Sequence, residues 1–410
     1  MKLNKNLINI IVNYIGYYKD INFEIPFYLP TGRKDREKYS DKVDWSSLSY
    51  NTNIPFTFFE KHISSCEQRG VPDKLDWSML SYNTNIPVEF FEKHISSCEQ
   101  RGVPDKVDWS MLSGNTNIPV TFFEKYLDKV NWIMLSRNTN IPVSFFEKHI
   151  SSCEQLGIPD KVNWSYLSRN TNIPITFFEK YLNKVNWYNL SGNTNIPYQF
   201  FEKHLDKVDW FMLSGNTNIL YQFFEKYIDK VDWFNLSLNT NIPFIFFEKY
   251  LDKVDWDYLS LNTNIPVSFF EKYISSCEQR DVPDKINWSM LSGNTNIPVT
   301  FFEKHISFCE QRDVPDKINW SMLSGNTNIP VTFFEKHISS CEQRGVPNKV
   351  DWFMLSGNKN IPVTFFEKHI SSCEQRDVPD KLNWINLSKN TNIPKYYNLR
   401  KLREIILLII

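Results

Sequence analysis

An all-α solenoid of thirteen short helix-turn-helix repeats, each 23 or 32 residues long, is the architecture this sequence predicts. Three observations predict it. Every one of the 13 tryptophans stands 23 or 32 residues from the next, from Trp45 to Trp384. Each opens a version of the string W-x-x-L-S-x-N-T-N-I-P-x-x-F-F-E-K, seen as Trp45, Leu48, Ser49, Asn51, Asn53, Ile54, Pro55, Phe58, Phe59, Glu60 and Lys61. The apolar members of that string recur at helical spacing. Periodicity on this scale marks stacked supersecondary units.

Within one copy, Trp45 and Leu48 lie one turn apart behind Asp44, a favoured N-cap residue, so a short first helix of about two turns is expected. Asn51-Thr52-Asn53 reads as a turn, because asparagine tolerates left-handed backbone and its side chain caps backbone groups. Asn53 is the expected N-cap of a second helix, with Pro55 in the first turn, where a missing N–H costs nothing. Ile54, Phe58, Phe59 and Ile63 then form an apolar stripe. Long copies differ from short ones by one nine-residue insertion, E-K-H-I-S-S-C-E-Q-R-G-V-P-D-K-V-D-W against E-K-Y-L-D-K-V-D-W, so both lengths start and finish in the same geometry. The insertion is expected to prolong the second helix through Arg69, stopping at Gly70 or its counterparts Asp281, Asp313 and Asp377. Short copies run consecutively from Trp164 to Trp256, where a change of thickness or curvature is expected. A leucine-rich-repeat unit is the rival reading, because L-S-x-N followed by I-P resembles that pattern. It needs a leucine two residues before the repeated Leu, a site that here holds Ser46, Ser78, Ile133 or Asp257.

A 23-residue unit cannot bury its tryptophan and two phenylalanines alone, so neighbours must stack. The expected core is Trp45, Leu48, Phe58, Trp210, Leu213, Phe223, Trp320, Leu323 and Phe333. The expected organisation is an N-terminal cap segment at 1–40, the repeats at 41–394 and a C-terminal capping helix at 395–410. Leu7 to Ile15 superficially resembles a signal peptide, but Asn9 and Asn13 interrupt it and no small-residue cleavage site follows. Ile405 to Ile410 is too short to span a bilayer. Lys plus Arg total 46 against 47 for Asp plus Glu, interspersed along the chain, which predicts neither nucleic-acid nor membrane binding. Seven cysteines, one per long copy and without a C-x-x-C pair, read as free thiols of a reducing compartment.

The sharpest chemical pattern is His-x-x-x-Cys, in His62/Cys66, His94/Cys98, His149/Cys153, His305/Cys309, His337/Cys341 and His369/Cys373. That spacing puts both side chains on one helical face, where they suit a transition metal. A structural zinc needs four ligands, neighbouring helices stand about 8–10 Å apart, and Tyr273 replaces the histidine before Cys277. A packing position is therefore expected, with no metal and no cofactor. Glu60-Lys61 suggests acid and base, yet catalysis needs one asymmetric constellation and twelve equivalent Glu-Lys pairs offer none. A solvated, salt-bridged face is expected, and no enzyme. The informative positions vary between copies: Tyr50, Tyr82, Arg137, Arg169, Leu238, Leu261 and Lys389 after the Leu-Ser pair, and Phe56, Val88, Tyr198 and Phe244 after the proline. Varied side chains on a repeated frame are what a binding surface looks like, and unselected drift gives the same pattern.

The register of Trp, Leu-Ser and Asn-x-Asn-Ile, followed by D-K-[VI]-[DN]-W, resembles the tandem W-L-S-x-N-P-N-I repeats of giant-virus (mimivirus-like) proteins of unassigned activity, over residues 41–394. Thr52 and its counterparts stand where those repeats often carry proline, and the nine-residue insertion is a second departure. The resemblance implies a viral gene product in an infected host's cytoplasm, or in the virion, and brings no activity with it. The first functional expectation is a non-enzymatic repeat scaffold for protein–protein interaction, with a viral or host protein partner and an open oligomeric state. The alternatives are a structural, self-assembling component or an F-box-like adaptor to a host ubiquitin ligase built on Leu7 to Ile15, which lacks that motif's Leu-Pro opening.

Overall fold

A computed structural model of the protein describes residues 44–383 together with 386, 387 and 390. The expected N-terminal cap with Leu7 to Ile15, the C-terminal segment 395–410, Trp384 and Lys389 lie outside the described residues. The chain divides into two compact units, one ending at Ile196 and the other starting at Pro197. The described residues form 24 helices and no strand. A leucine-rich repeat contributes a strand from each copy, so the α-solenoid reading holds against that rival.

In the first unit, Asp76 caps the helix Trp77–Tyr82 by accepting the Met79 N–H on Oδ1 at 3.1 Å, the expected use of an N-cap carboxylate. Asn83 follows, and its Oδ1 accepts the Asn85 N–H at 2.9 Å, closing a side-chain turn. The second helix, Val88–Arg101, starts directly after Pro87, which holds the cap position without a side-chain bond. The expectation that Asn53 caps a second helix is corrected in the same way. Pro55 precedes Phe56–Gln68, and Asn53 gives its N–H to Asn51 Oδ1 at 2.9 Å. No described asparagine has positive φ, so the side-chain bond makes the turn and left-handed backbone does not. The long second helix ends at Gly102, φ 67°, where the Val103 N–H returns to Cys98 O at 3.0 Å.

The second unit repeats this plan with aspartate also in the left-handed position. Asp281, Asp313 and Asp377 have φ of 54°, 53° and 52°, as the sequence predicts. Its short copies drop the extension, as in Trp233–Leu238 followed by Phe244–Glu248.

Aromatic stacking fills both interiors. Trp77 stacks on Phe90 at 5.9 Å, and Phe90 meets Phe91 edge-on at 5.4 Å. Trp320, Phe333 and Phe334 form the same set in the second unit. Leu80, Ile86 and Phe91, like Leu291, Ile297 and Phe302, are wholly buried, each contributing about 1.5–3 kcal/mol. Of the expected core, Leu213, Phe223, Trp320, Leu323 and Phe333 are buried, whereas Trp45, Leu48, Phe58 and Trp210 are half-buried. The first three belong to the first described copy. Trp210 belongs to a short copy, where Tyr227 lies tilted 5.8 Å from its indole. In a long copy the extended helix lays a ring flat over the tryptophan, as His305 does on Trp288 at 4.1 Å, and the indole is closed off.

A polar spine joins copy to copy inside each unit, where successive first helices pack side by side. Asn115 Nδ2 donates to Ser81 O at 3.0 Å and to Asn83 O at 3.3 Å. Asn138 does the same to Ser113 O and Asn115 O. In the second unit Asn239, Asn262, Asn294, Asn326 and Asn358 continue it. The buried serine closes the next link: the Asp108 N–H donates to Ser81 Oγ at 3.1 Å across a long copy, and the Asn131 N–H to Ser113 Oγ at 2.9 Å across a short one. The two lengths therefore do end in one geometry. Outside, Lys93 pairs with Glu60 at 3.0 Å and Lys272 with Glu248 at 2.9 Å, exposed links worth at most about 1 kcal/mol each.

Candidate interaction surface

Because tryptophan, Leu-Ser and asparagine all point inward, each first helix leaves outside the residues one and five places after its tryptophan. These are four apart and share one helical face. The described variable positions that follow the Leu-Ser pair fall on this face. In the first unit Tyr50 and Tyr82 are exposed, their rings stacked at 6.1 Å, and Arg137 and Arg169 are exposed. In the second, Leu238 is exposed and Leu261 half-buried. Lys389 lies outside the described residues. The positions after the proline, Phe56, Val88, Tyr198 and Phe244, are half-buried at the start of the second helix.

The more telling position is the residue immediately after the tryptophan, which sequence reasoning weighed only as a leucine-rich-repeat site. Serine there knits copies together. Ser46 Oγ donates to Asp76 Oδ2 at 2.7 Å and Ser78 Oγ to Asp108 Oδ2 at 2.8 Å. Asn319 Nδ2 donates to Ser289 Oγ at 2.7 Å. Tyr188 in the first unit and Phe211, Phe234 and Phe353 in the second replace that serine with an aromatic ring, 39–56% exposed. Such a ring cannot make the hydroxyl bond and leaves much of its apolar surface in water. In the second unit, Phe211 stacks on Phe234 at 6.2 Å and Phe234 meets Tyr258 at 3.9 Å, a continuous ridge beside Leu238 and Leu261. The signal for it, four aromatics in a serine column, was present in the aligned copies.

The His-Cys pairs prove to be wrapped against Trp. The His94 ring lies 4.0 Å from Trp77, its Nε2 accepts the Lys106 N–H at 3.2 Å, and Cys98 Sγ is 3.5 Å away. Burial holds His94 below its ordinary pKa of 6.5, against the pull of Asp105 and Asp73. At Tyr273, which takes the histidine's place, burial pushes the phenol up to about 12. Among the described residues no group of three or more His, Cys, Asp or Glu is placed to hold a metal ion. A groove of about 400 Å³ in the first unit, lined by Ile150, Cys153, Glu154, Trp164 and Lys184, has its lysine already paired with Asp160 at 2.9 Å.

Comparison with protein-family models and with curated proteins finds no match for the chain. Among the described residues no helix is long and apolar enough to cross a membrane.

Proposed function

We propose that this protein is a non-enzymatic scaffold for protein–protein interaction that presents the outward face of its first helices. The observation that carries the reading is the replacement of a bond-forming serine by exposed aromatic rings at Tyr188, Phe211, Phe234 and Phe353. Exposed aromatic surface is characteristic of docking sites, and in the second unit Phe211, Phe234 and Tyr258 are continuous. Thirteen near-identical copies supply no asymmetric constellation for catalysis. The resemblance to giant-virus repeats supports a viral gene product acting in the host cytoplasm on a viral or host protein.

The test returns those four aromatics to serine, the residue that other copies carry and fold with. Tagged wild-type and quadruple-serine chains are compared by affinity capture from cells of the infected host and by thermal melting. Loss of a partner with an unchanged melt supports the scaffold, and an identical partner set rejects this face as its working surface.

A further inference from the structure

The ridge in the second unit has a charge as well as a shape. Its rings, Phe211, Phe234 and Tyr258, run alongside Asp232, Asp255 and the exposed Asp257. No lysine or arginine occurs in residues 209–218, 232–241 or 255–264, which make up the first helices and turns of these three copies. Asp232 and Asp255 each use Oδ1 to cap their helix, accepting Asn235 N–H at 2.9 Å and Tyr258 N–H at 3.2 Å. In copies with serine the second carboxylate oxygen takes a hydroxyl, as Asp76 does from Ser46. Phe211 and Phe234 stand where that serine would be, so the second oxygens of Asp232 and Asp255 receive none and keep acceptor capacity beside an aromatic face.

Resting on the reading of this face as a docking surface, we propose that the ridge receives an arginine-bearing segment of a partner protein. A guanidinium stacks on an aromatic ring and donates to a neighbouring carboxylate at the same time, which neither an acidic nor a purely apolar segment does. The chain itself uses the stacking half of this arrangement: the Arg312 guanidinium sits 4.0 Å over the Phe308 ring. Spacing favours an extended segment. Alternate side chains of a strand are about 6.6 Å apart, close to the 6.2 Å between Phe211 and Phe234.

The probe is a fluorescein-labelled peptide, Gly-Arg-Ser-Arg-Ser-Arg-Gly, titrated with the full chain at low salt and read by anisotropy. Phe211→Ser, Phe234→Ser and Asp257→Ser, combined, install the residue other copies carry at that position, and an unchanged melt confirms folding. The expected result is binding that weakens roughly tenfold or more in the triple variant and falls with added salt. A peptide with glutamate for arginine should not bind. Equal binding by wild type and variant overturns the proposal. So does a glutamate peptide that binds as well as the arginine one, although sensitivity to the serine variants would then leave the docking face itself standing. Concentration-dependent sedimentation of the free chain, abolished by the same substitutions, would make a second copy the occupant and would also overturn it.

Discussion

Asn239→Ala removes one rung of the spine and should be costly for its size. The side chain is 3% exposed and makes three bonds: Nδ2 to Ser214 O at 3.0 Å and to Asn216 O at 3.2 Å, and Oδ1 from Asn241 N–H at 3.0 Å. Asn216 O keeps the Ile219 N–H and Asn241 can turn to water, so the main loss falls on the buried Ser214 carbonyl. An orphaned buried group costs about 1–3 kcal/mol and each of the two further bonds about 1 kcal/mol, giving about 3–5 kcal/mol in all. Asn239→Asp conserves volume but puts an acceptor against two carbonyls, so it should cost at least as much. Thr240→Ala, at the exposed tip of the same turn, should stay within about 0.5 kcal/mol. Repeat arrays need not unfold in two states, so the assay is native-state hydrogen exchange resolved by copy. Protection should fall around residues 210–262 first. A loss below about 0.5 kcal/mol in Asn239→Ala, or a harmless Asn239→Asp, would refute the reasoning.

Acid should loosen the long copies. His62, His94, His149, His305, His337 and His369 are all held below 6.5, chiefly by burial, so the unfolded chain binds their protons more readily. Their contribution is complete above pH 6.5 and is lost as pH falls below it toward the folded values. Melting at pH 7.5 and pH 5 should show the drop, and replacing all six with tyrosine, as Tyr273 already is, should shrink it; an equal drop would contradict this. Asn348→Asp should stabilise by about 1 kcal/mol, because the buried Trp352 indole N–H has no partner while Asp316 accepts that of Trp320 at 3.2 Å; denaturant melts with no gain would count against it. Deleting 275–283 leaves E-K-Y-I-D-K-I-N-W, a short copy, and should fold with Trp256 passing from 7% exposed to half-buried, read as a red-shifted and more quenchable emission.

Much of this fold was legible in the sequence, because tryptophan spacing sets the repeat and Asp44, Gly70 and Asp281 announce their helix ends by chemistry that local sequence controls. Asn53 was not legible. Asn51 and Asn53 look alike as residues, and only the neighbouring copy distinguishes them, Asn83 reaching Ser49 O and Asn85 reaching Thr52 O. Trp210 and Trp288 likewise share a string, and the difference in burial comes from whether an extended helix lies over the ring. On the surface, Leu238 and Leu261 were visible as variation, but Phe211 and Phe234 carry meaning only once Ser46 is seen bonding Asp76 in their place.

The frame faces inward, and the proposed recognition chemistry is assigned to the first-helix face. Photo-crosslinking tests that assignment most directly, with benzoylphenylalanine placed at Phe234 or at Ile245, which is 56% exposed on the second helix of the same copy. Irradiation in cells that make the protein should give a discrete protein adduct from position 234 and none from 245. Adducts from 245 alone, or equal adducts from both, would contradict the account.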